Sequence, residues 1–438
     1  MRPAMALRDE HLAVLHQRAR ELGIPRYRML PRDQLIEAIE GRSGNGEEPV
    51  ARDEGVESGF ERPHGDFDPR PKEVAAPAET EAVSEEVGGG EEAASEVVTG
   101  VLDRMPQGYG FLRLSGLQES EGDVYVSASQ IRRCELRPGD EVSGPAREPR
   151  RGERHRALVR VESVNGQNPE EERRHFEDLT PAPAQRRLLA PDAPGDPLVR
   201  AVDLLGPLAF GQRVLVLAQP RSGRTTLLRA LGSAIAGTGA HLVVLLADER
   251  PEEVPQWDRA LPEAEIFAAT ADQEARDQVR QAELAIGHAK RLAESGEDVV
   301  ALVDSLSRLA LGYRDPGRVK RMFGAGRELG EEGTGSLTVI ATVLDSDDRG
   351  AEVREALETT ENLLLRLDAG LAAKGIVPAL VVADSRASGE EQLREPDELD
   401  RIRRLREELG EMDPERAARS LAEQLAATAS NAELLARI

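Results

Sequence analysis

The sequence predicts a chain of several domains, in which a small β-barrel precedes a larger α/β domain built on a parallel sheet. The chain has 438 residues, more than a single domain usually holds. Residues 98–162 alternate short segments rich in Val, Tyr, Phe and Leu with Gly and Pro turns, a pattern typical of a compact barrel. From about residue 165 onward, apolar runs alternate with helical segments, which predicts buried parallel strands with helices on both faces.

The composition narrows the class of protein. A single cysteine, Cys134, excludes an internal disulfide framework and a multi-cysteine zinc site, and fits a reducing cytosol. No run of about 18 apolar residues is present, and the N-terminus lacks the apolar core of a signal peptide. The formal charge of -24 argues against a general nucleic-acid coat. We therefore expect a cytoplasmic protein with no membrane partner.

The first hundred residues divide into two segments. Residues 6–41 have the apolar periodicity of helices, interrupted by Pro25 and Pro31, and predict a small helical module over residues 1–45. Residues 46–97 carry about half of the net negative charge and have few aromatic residues, which predicts a disordered acidic linker. The barrel is expected over 98–165 and the α/β domain, ending in helices, over 166–438.

Five apolar runs are the predicted strands of the parallel sheet. They lie at 214–217, 242–246, 299–303, 337–342 and 379–382. Each is short, continuous and separated from the next by residues with helical character, as expected for strands buried on both faces.

A glycine-containing turn follows the first of these strands. Residues 218–226 read AQPRSGRTT and lead into Leu227, so that strand, tight loop and helix follow in order with the spacing of a phosphate-binding P-loop. Loop amides and the helix N-terminus can hold phosphate, and the Thr225 hydroxyl would reach Mg²⁺. Arg224 stands where a lysine is expected, and its guanidinium is larger and planar. Nucleotide binding is thus expected and fast hydrolysis is not; the alternative is an ordinary strand–helix turn.

Two carboxylates follow other predicted strands. Asp304 ends the run 299–303, the Walker B arrangement that holds a carboxylate near Mg²⁺. Glu249 follows the run 242–246, at the sheet edge where ligands bind, and is a candidate general base for an attacking water. The alternative for the segment around Glu249 is a solvated charged loop. ATP and Mg²⁺ are the predicted cofactors, with Thr225 and Asp304 as the metal ligands.

Four segments together resemble the bacterial transcription terminator Rho family. They are residues 248–254 (DERPEEV), 304–310 (DSLSRLA), 323–327 (FGAGR) and 335–342 (GSLTVIAT). The resemblance covers nearly the whole chain except the acidic linker. It implies a helical N-terminal module, an OB-fold barrel of the cold-shock type and a RecA-like P-loop motor. It also implies a homo-hexameric ring that moves along nascent single-stranded RNA and displaces RNA polymerase from the elongation complex.

The resemblance also implies site residues in the motor. The implied catalytic residues are Glu249, Arg224 and Asp304. The implied nucleotide-binding residues are Ala209, Phe210, Gly211, Gln212, Arg213, Val214, Arg221, Ser222, Gly223, Arg224, Thr225, Thr226 and Arg250.

In the barrel, the resemblance implies three RNA-contact elements. Tyr109, Phe111 and Tyr125 would supply stacking faces for unpaired bases, and Arg113 a phosphate or base contact. His155 stands where the family has tyrosine. Packing of the aromatic rings in the barrel core is the alternative. The implied RNA-binding residues are Gly108, Tyr109, Gly110, Phe111, Leu112, Arg113, Asp123, Val124, Tyr125, Glu153, Arg154 and His155.

Arginines cluster near the third RNA-contact element. They predict a local basic face despite the acidic total, or else they are solvated surface residues. The linker 46–97 is then either a spacer or an electrostatic decoy that competes with RNA for this face. The cluster comprises Arg147, Arg150, Arg151, Arg154, Arg156 and Arg160.

The motor departs from the family pattern at several points besides Arg224. After Tyr313 the chain lacks a segment that includes a glycine-rich RNA-gripping loop. The second pore loop, 345–350 (DSDDRG), carries three carboxylates where a lysine is usual, and Arg349 compensates in part. The arginine finger is expected near Ala369, whereas Arg366 lies three residues earlier and is expected on the other strand face. Loss of a finger costs several orders of magnitude in phosphoryl transfer.

Three hypotheses follow. The first is a Rho-type RNA-binding, ring-forming termination factor with impaired ATP turnover, an enzyme only if Arg224 supports hydrolysis. The second is a non-enzymatic RNA-binding or regulatory paralogue, which could co-assemble with an authentic Rho. The third is a RecA-like ATPase unrelated to RNA, which the match in the barrel argues against.

Overall fold

The computed structural model describes Ile36 and residues 96–114, 119–190 and 195–438. The predicted helical module and acidic linker lie outside these residues, apart from Ile36, which is helical, and the last two linker residues. Those two, Glu96 and Val97, pair with Ala146 and Pro145 in an antiparallel ladder. The first strand of the barrel therefore begins at residue 96, two residues before the predicted start of the domain at 98.

The first described unit is a closed barrel, as predicted. Five strands follow one another around it in the order β1-β2-β3-β5-β4, and pairing of β4 with β1 closes the ring. Leu102, Leu112, Val124 and Val142 are fully buried inside it. Its elements are β1 (Glu96–Arg104), β2 (Gly110–Arg113), β3 (Val124–Val126), α1 (Ala128–Arg133), β4 (Glu141–Arg147), β5 (Arg156–Leu158) and β6 (Ser163–Val164).

The second described unit is an α/β domain on a nine-stranded sheet. Six strands are parallel in the order β10-β9-β11-β13-β8-β14, and β15, β12 and β7 add antiparallel pairings. The strands are β7 (Pro181–Ala182), β8 (Arg213–Ala218), β9 (His241–Glu249), β10 (Glu265–Thr270), β11 (Asp298–Asp304), β12 (Arg327–Leu329), β13 (Ser336–Leu344), β14 (Leu363–Leu367) and β15 (Arg386–Ala387).

Helices cover both faces of this sheet, as predicted. None of the helices in the described ranges is long and apolar enough to cross a membrane. The helices are α2 (Pro197–Leu205), α3 (Arg224–Ala236), α4 (Val254–Ala260), α5 (Ala275–Glu294), α6 (Leu306–Tyr313), α7 (Pro316–Phe323), α8 (Asp348–Leu357), α9 (Ala369–Ala373), α10 (Pro396–Gly410), α11 (Pro414–Ala426) and α12 (Asn431–Leu435).

The side chains of β8 show how one strand serves two cores. Val214 and Val216 pack with α2, α3, α10 and α11 on one face, while Leu215 and Leu217 pack with α5, α6 and α7 on the other. Because successive side chains of a strand point to opposite faces, this continuous apolar run stabilises both layers.

One predicted strand is wrong. Residues 379–382 are buried but form only an isolated bridge, between Leu380 and Leu367. The sheet position beside β8 is taken instead by β14, whose apolar run is interrupted by Arg366. A short apolar run shows that a segment is buried, and this does not distinguish a strand from a packed loop.

Candidate functional site

The loop between β8 and α3 has the backbone of a tight phosphate-binding turn. Arg221 and Gly223 adopt positive φ angles of 65° and 91°, and Gly223 is the N-cap residue of α3. The buried Ser222 donates a hydrogen bond from Oγ to the Gln219 carbonyl at 2.7 Å. A Cβ on Gly223 would meet no atom within 4 Å, so backbone conformation rather than space favours glycine there.

Arg224 does not point out of this loop but bridges two carboxylates. Its Nη2 lies 2.9 Å from Glu249 Oε1, and its Nε lies 3.1 Å from Asp304 Oδ1. Glu249 ends β9 and Asp304 ends β11, two adjacent parallel strands, so their side chains meet at one edge of the sheet. The sequence predicted that these three residues lie at one site. It did not indicate that Arg224 would pair with both Glu249 and Asp304.

Asp304 is the most enclosed member of the cluster, at 1% exposure. Its Oδ1 also accepts a hydrogen bond from Thr342 Oγ1 at 2.8 Å, and its Oδ2 accepts one from Thr225 Oγ1 at 3.4 Å. Burial and the nearby charge of Asp304 raise the pKa of Glu249, and the Arg224 guanidinium offsets part of that increase. Sequence reasoning missed Thr342, which lies inside an apolar strand.

This arrangement does not fit the predicted magnesium site. Mg²⁺ requires a near-octahedral shell of oxygen ligands at about 2.0–2.1 Å. Here the guanidinium of Arg224 lies where a cation would approach Asp304, and the Thr225 hydroxyl donates to the same carboxylate. The two predicted metal ligands are thus brought together, but they are already bonded to protein groups.

The barrel carries a cluster of four rings on one face. Tyr109 lies 5.8 Å from Phe111 and 5.6 Å from Tyr125, and Phe111 lies 5.0 Å from His155, between ring centroids. Phe111 and Tyr125 are directly opposite across β2 and β3. All four residues are half-buried, whereas Leu112 and Val124 fill the core. The cluster is therefore a surface platform suited to stacking with bases.

Beneath this platform lies a buried charge network. Arg113 donates from Nε to Asp103 Oδ2 at 3.1 Å and also pairs with Asp123. Arg113, Asp103 and Asp123 are 2%, 4% and 0% exposed. This differs from the expected contact between Arg113 and RNA, because both carboxylates hold the guanidinium inside the barrel. Arg113 and Asp123 thus support the platform from below in this structure.

Comparison with known proteins fits these two sites. A family described as "Rho termination factor, RNA-binding domain" matches residues 98–170, and the "ATP synthase alpha/beta family, nucleotide-binding domain" matches residues 199–327. The transcription termination factor Rho of Bacillus subtilis is 40% identical over 336 residues, covering 71% of this chain and 78% of that protein. The chain belongs to the Rho family.

Other Rho proteins give the same result. The factor of Aquifex aeolicus is 39% identical over 366 residues, which cover 77% of this chain and 84% of that protein. The factor of Streptomyces lividans is 41% identical over 367 residues, which cover 78% of this chain and 51% of that protein. The chain thus spans about half the length of the Streptomyces relative.

One group of Rho-derived nucleotide residues lies away from the cleft. Ala209 to Val214 precede or begin β8, whereas the phosphate loop follows its last residue, Ala218. At about 3.3 Å per strand residue, Arg213 and Ala218 are roughly 16 Å apart. Gly211 (φ 78°) instead donates its N–H to Thr338, and Arg213 donates to the carbonyl of Gly326 at 2.7 Å. These six residues lie at the opposite end of the strand from the phosphate loop, and their contact with a nucleotide stays a prediction.

The remaining predicted nucleotide residues lie at the cleft. Arg221, Gly223 and Thr226 are exposed on the loop and the first turn of α3, and Arg250 is exposed just after Glu249. Arg250 donates its backbone N–H to Glu249 Oε2 at 3.4 Å. The rim therefore carries two arginine side chains in addition to Arg224.

The departures from the Rho pattern have structural counterparts. Only two residues connect α6 and α7, as expected for a deleted loop. Asp345 pairs with Arg366 at 3.1 Å and with Arg354 at 3.4 Å, and its N–H donates to the Ala218 carbonyl at 3.0 Å. Asp347 caps α8 by accepting from the Gly350 N–H at 2.8 Å. Two of the three carboxylates in residues 345–350 are thus used within the fold.

The position expected for the arginine finger faces the phosphate loop of its own chain. Ala369 begins α9 and donates its N–H to Gln219 Oε1 at 3.0 Å. Arg366 is held by Asp345 and by Asp384, the latter at 3.5 Å. Alanine at 369 has no charge to offer, and the nearest arginine along β14 is already paired.

The predicted basic face is smaller than expected. Arg147 pairs with Glu153 at 2.7 Å, and Arg156 pairs with Glu96 at 3.0 Å. The hydrogen bonds from Arg147 and from the Arg150 backbone hold the pKa of Glu153 down to about 2. Arg160 also pairs, with Glu162. Arg150, Arg151 and Arg154 remain exposed beside the ring platform.

The barrel docks on α5 of the motor through a close backbone approach. A Cβ on Gly139, whose φ is 87°, would lie 2.4 Å from backbone atoms of Gly287 and His288. His288 donates from Nδ1 to the Gly139 carbonyl at 2.9 Å, and Arg280 pairs with Asp103 at 2.7 Å. Sequence reasoning missed this junction, because Pro138-Gly139 reads only as a turn.

Proposed function

We propose that this Rho-family chain binds single-stranded RNA on its barrel and a nucleotide in its motor cleft, as a cytoplasmic termination factor with impaired ATP turnover. In this proposal it assembles as a ring and acts on the RNA polymerase elongation complex. The observation that carries the impaired turnover is the pairing of Arg224 with both Glu249 and Asp304. The ring platform of Tyr109, Phe111, Tyr125 and His155 supports the RNA assignment.

Two features of the cleft argue for slow hydrolysis. A general base must have a free oxygen within hydrogen-bond reach of the attacking water. Glu249 has Oε1 on Arg224 and Oε2 near the Arg250 N–H. Ala369 supplies no cation for the charge that develops on the transferred phosphoryl group, and such a cation is worth about 10³–10⁵ in rate. We therefore expect this protein to bind a nucleotide and to hydrolyse it slowly.

A non-enzymatic paralogue is the second candidate. The pore-loop arrangement favours it, because Arg366 and Arg354 are paired with Asp345 instead of facing a threaded strand. In this version the protein holds RNA without moving along it, alone or within a ring shared with an authentic Rho.

ATP turnover by the purified full chain separates the two candidates. We expect slow turnover with at most weak stimulation by pyrimidine-rich single-stranded RNA. Arg224→Lys should raise turnover only in part, because Ala369 still provides no finger. Robust RNA-stimulated turnover in the unaltered protein would contradict the impairment, and none in either variant would favour the paralogue.

The RNA assignment has its own test. Replacing Tyr109 or Phe111 by Ala should weaken binding of single-stranded RNA by about 1–3 kcal/mol per lost stack. Val159→Ala is the matched control, since Val159 is a half-exposed barrel residue outside the ring platform. Fluorescence anisotropy with a labelled oligonucleotide measures the difference. Equal affinity in all variants would refute the assignment of the barrel face.

A further inference from the structure

We infer that the nucleotide site of this chain takes a nucleoside di- or triphosphate without Mg²⁺, with Arg224 in place of the metal as the cation on Asp304 and Glu249. The inference rests on the proposed function, because it concerns the same cleft. It specifies the form of the ligand: the free polyphosphate and not its magnesium complex.

The first step is the state of Asp304. Its two oxygens accept hydrogen bonds from Thr342 Oγ1 and Thr225 Oγ1 and form an ion pair with Arg224 Nε, and the residue is 1% exposed. A divalent ion bound to Asp304 would lie beside a guanidinium nitrogen that is 3.1 Å from the same carboxylate. Two cations so close in a partly buried site repel strongly. The metal and Arg224 therefore exclude one another at Asp304.

The second step is the geometry of the guanidinium. Its planar fork gives Nε and Nη2 different directions, so a single side chain forms an ion pair with Asp304 and donates a hydrogen bond to Glu249 at once. A lysine carries all its donors on one nitrogen and is a point charge. Arginine can thus stay on both acids while a ligand is bound. Lysine must share one ammonium between the acids and the phosphates, and a metal would then be needed.

The third step concerns the phosphates. Arg224 is 19% exposed on its side chain, and among the described residues no hydrogen bond involves its Nη1. Two further arginines, Arg221 and Arg250, are exposed at the rim. The loop amides and the start of α3 favour an anion on the same side. Together these groups offer a polyphosphate several cationic donors that do not depend on a metal.

The test is nucleotide affinity of the full chain, measured by calorimetry for ADP and ATP in excess Mg²⁺ and in EDTA. For the unaltered protein we expect the two Kd values to agree within about threefold. Arg224→Lys should restore metal dependence, so that removal of Mg²⁺ weakens its affinity by about tenfold or more. Arg229→Lys, on the outer side of α3 where Arg229 pairs with Glu253, is the matched control and should behave like the unaltered protein.

A second measurement detects the metal directly. Mn²⁺ added to the protein–nucleotide complex should give no protein-bound signal in electron paramagnetic resonance, and Arg224→Lys should give one. A loss of affinity of tenfold or more in EDTA for the unaltered protein, or bound Mn²⁺, would overturn this inference alone. Absence of nucleotide binding under both conditions would overturn the proposed nucleotide function together with it.

Discussion

Two arginines in this chain each bridge two carboxylates, and their surroundings give them different roles. Arg113 lies inside the barrel between Asp103 and Asp123, all at most 4% exposed. Arg224 lies at the mouth of the motor cleft between Glu249 and Asp304, with 19% of its side chain exposed. Both arginines pair with two carboxylates, but only Arg224 is accessible to water.

Burial decides whether such an arginine bridge is purely structural or can also contact a ligand. A fully buried guanidinium such as that of Arg113 has a structural role, because its removal leaves buried carboxylates that have lost this cation and that water cannot stabilise. Arg280 adds a second cation to Asp103 from the motor side, so the barrel network has two charges of each sign. The cleft cluster has one cation for two acids, and the exposed Arg221 and Arg250 beside it leave cationic groups that a ligand can reach.

The largest effect is expected from Arg113→Met. It leaves Asp103 and Asp123 buried with one cation fewer, and should lower the free energy of unfolding of the chain by about 3–5 kcal/mol. Urea unfolding followed by circular dichroism measures it. Arg280→Met is the control, since Arg280 is 39% exposed, and it should cost much less. Equal losses would mean that burial is not what distinguishes the two cations.

The second largest effect is expected at the contact between the barrel and α5, where Arg280 pairs with Asp103. Gly139→Ala adds a Cβ 2.4 Å from the backbone of Gly287 and His288 at a positive φ, and should cost about 2–4 kcal/mol. Gly152→Ala is the control: its φ is 97°, but no atom lies within 4 Å. It should cost about 1 kcal/mol through φ alone. Equal losses of stability in the two variants would show that the close backbone approach at Gly139 does not contribute to the cost.

Removal of the cleft bridge should cost less. We expect Arg224→Ala to lower the free energy of unfolding by about 1 kcal/mol or less, because water can replace a partly exposed guanidinium. The pKa of Glu249, already raised by burial, should rise further once the cation is gone. Titration of Glu249 by carboxylate NMR shows the shift. A loss as large as that of Arg113→Met would erase the contrast between the two bridges.

The smallest effect concerns pH at the barrel–motor junction. Burial lowers the pKa of His288, but the hydrogen bond to Glu265 and the charge of that carboxylate outweigh it, so the pKa is raised. Hydrogen bonds from His241 and His288 likewise outweigh burial and lower the pKa of Glu265 to about 2. The stability from protonated His288 is therefore complete below about 6.5, its unfolded value, and is lost as pH rises through the raised pKa.

His288→Gln should remove that dependence. Unfolding of the unaltered chain and of the variant, compared from pH 5.5 to 9, should show the unaltered chain losing its relative advantage above about pH 6.5. Glu265 stays ionised throughout this range, so it does not contribute to the change. Parallel curves across the range would show that folding does not raise the pKa of His288.

Much of this fold and site could be predicted from the sequence, for identifiable reasons. Glu249 and Asp304 came together because parallel strands end at one edge, a rule that needs no coordinates. The rings of Tyr109, Phe111 and Tyr125 shared a face because strand side chains alternate. Such predictions depend only on neighbours along the chain and on the class of sheet.

The features that the sequence did not predict depend on packing between distant segments. The inward turn of Arg113 requires Asp103 and Asp123 on neighbouring strands, so its alignment with an RNA-contact strand was not enough. Ala209 to Val214 are assigned to the nucleotide by resemblance alone, and the sequence did not indicate that the length of β8 separates them from the phosphate loop. The bridge made by Arg224 could not be predicted, because the sequence shows its charge but not which way the side chain turns.

The hydrogen bond from the Asp345 amide to the Ala218 carbonyl ties the end of β13 to the residue that begins the phosphate loop. While this hydrogen bond is intact, an outward movement of the segment that starts at Asp345 also displaces the start of that loop. The two segments are thus coupled through the main chain alone, without any side chain. The rate at which the Asp345 amide exchanges with deuterium would report how often this hydrogen bond between β13 and the phosphate loop opens.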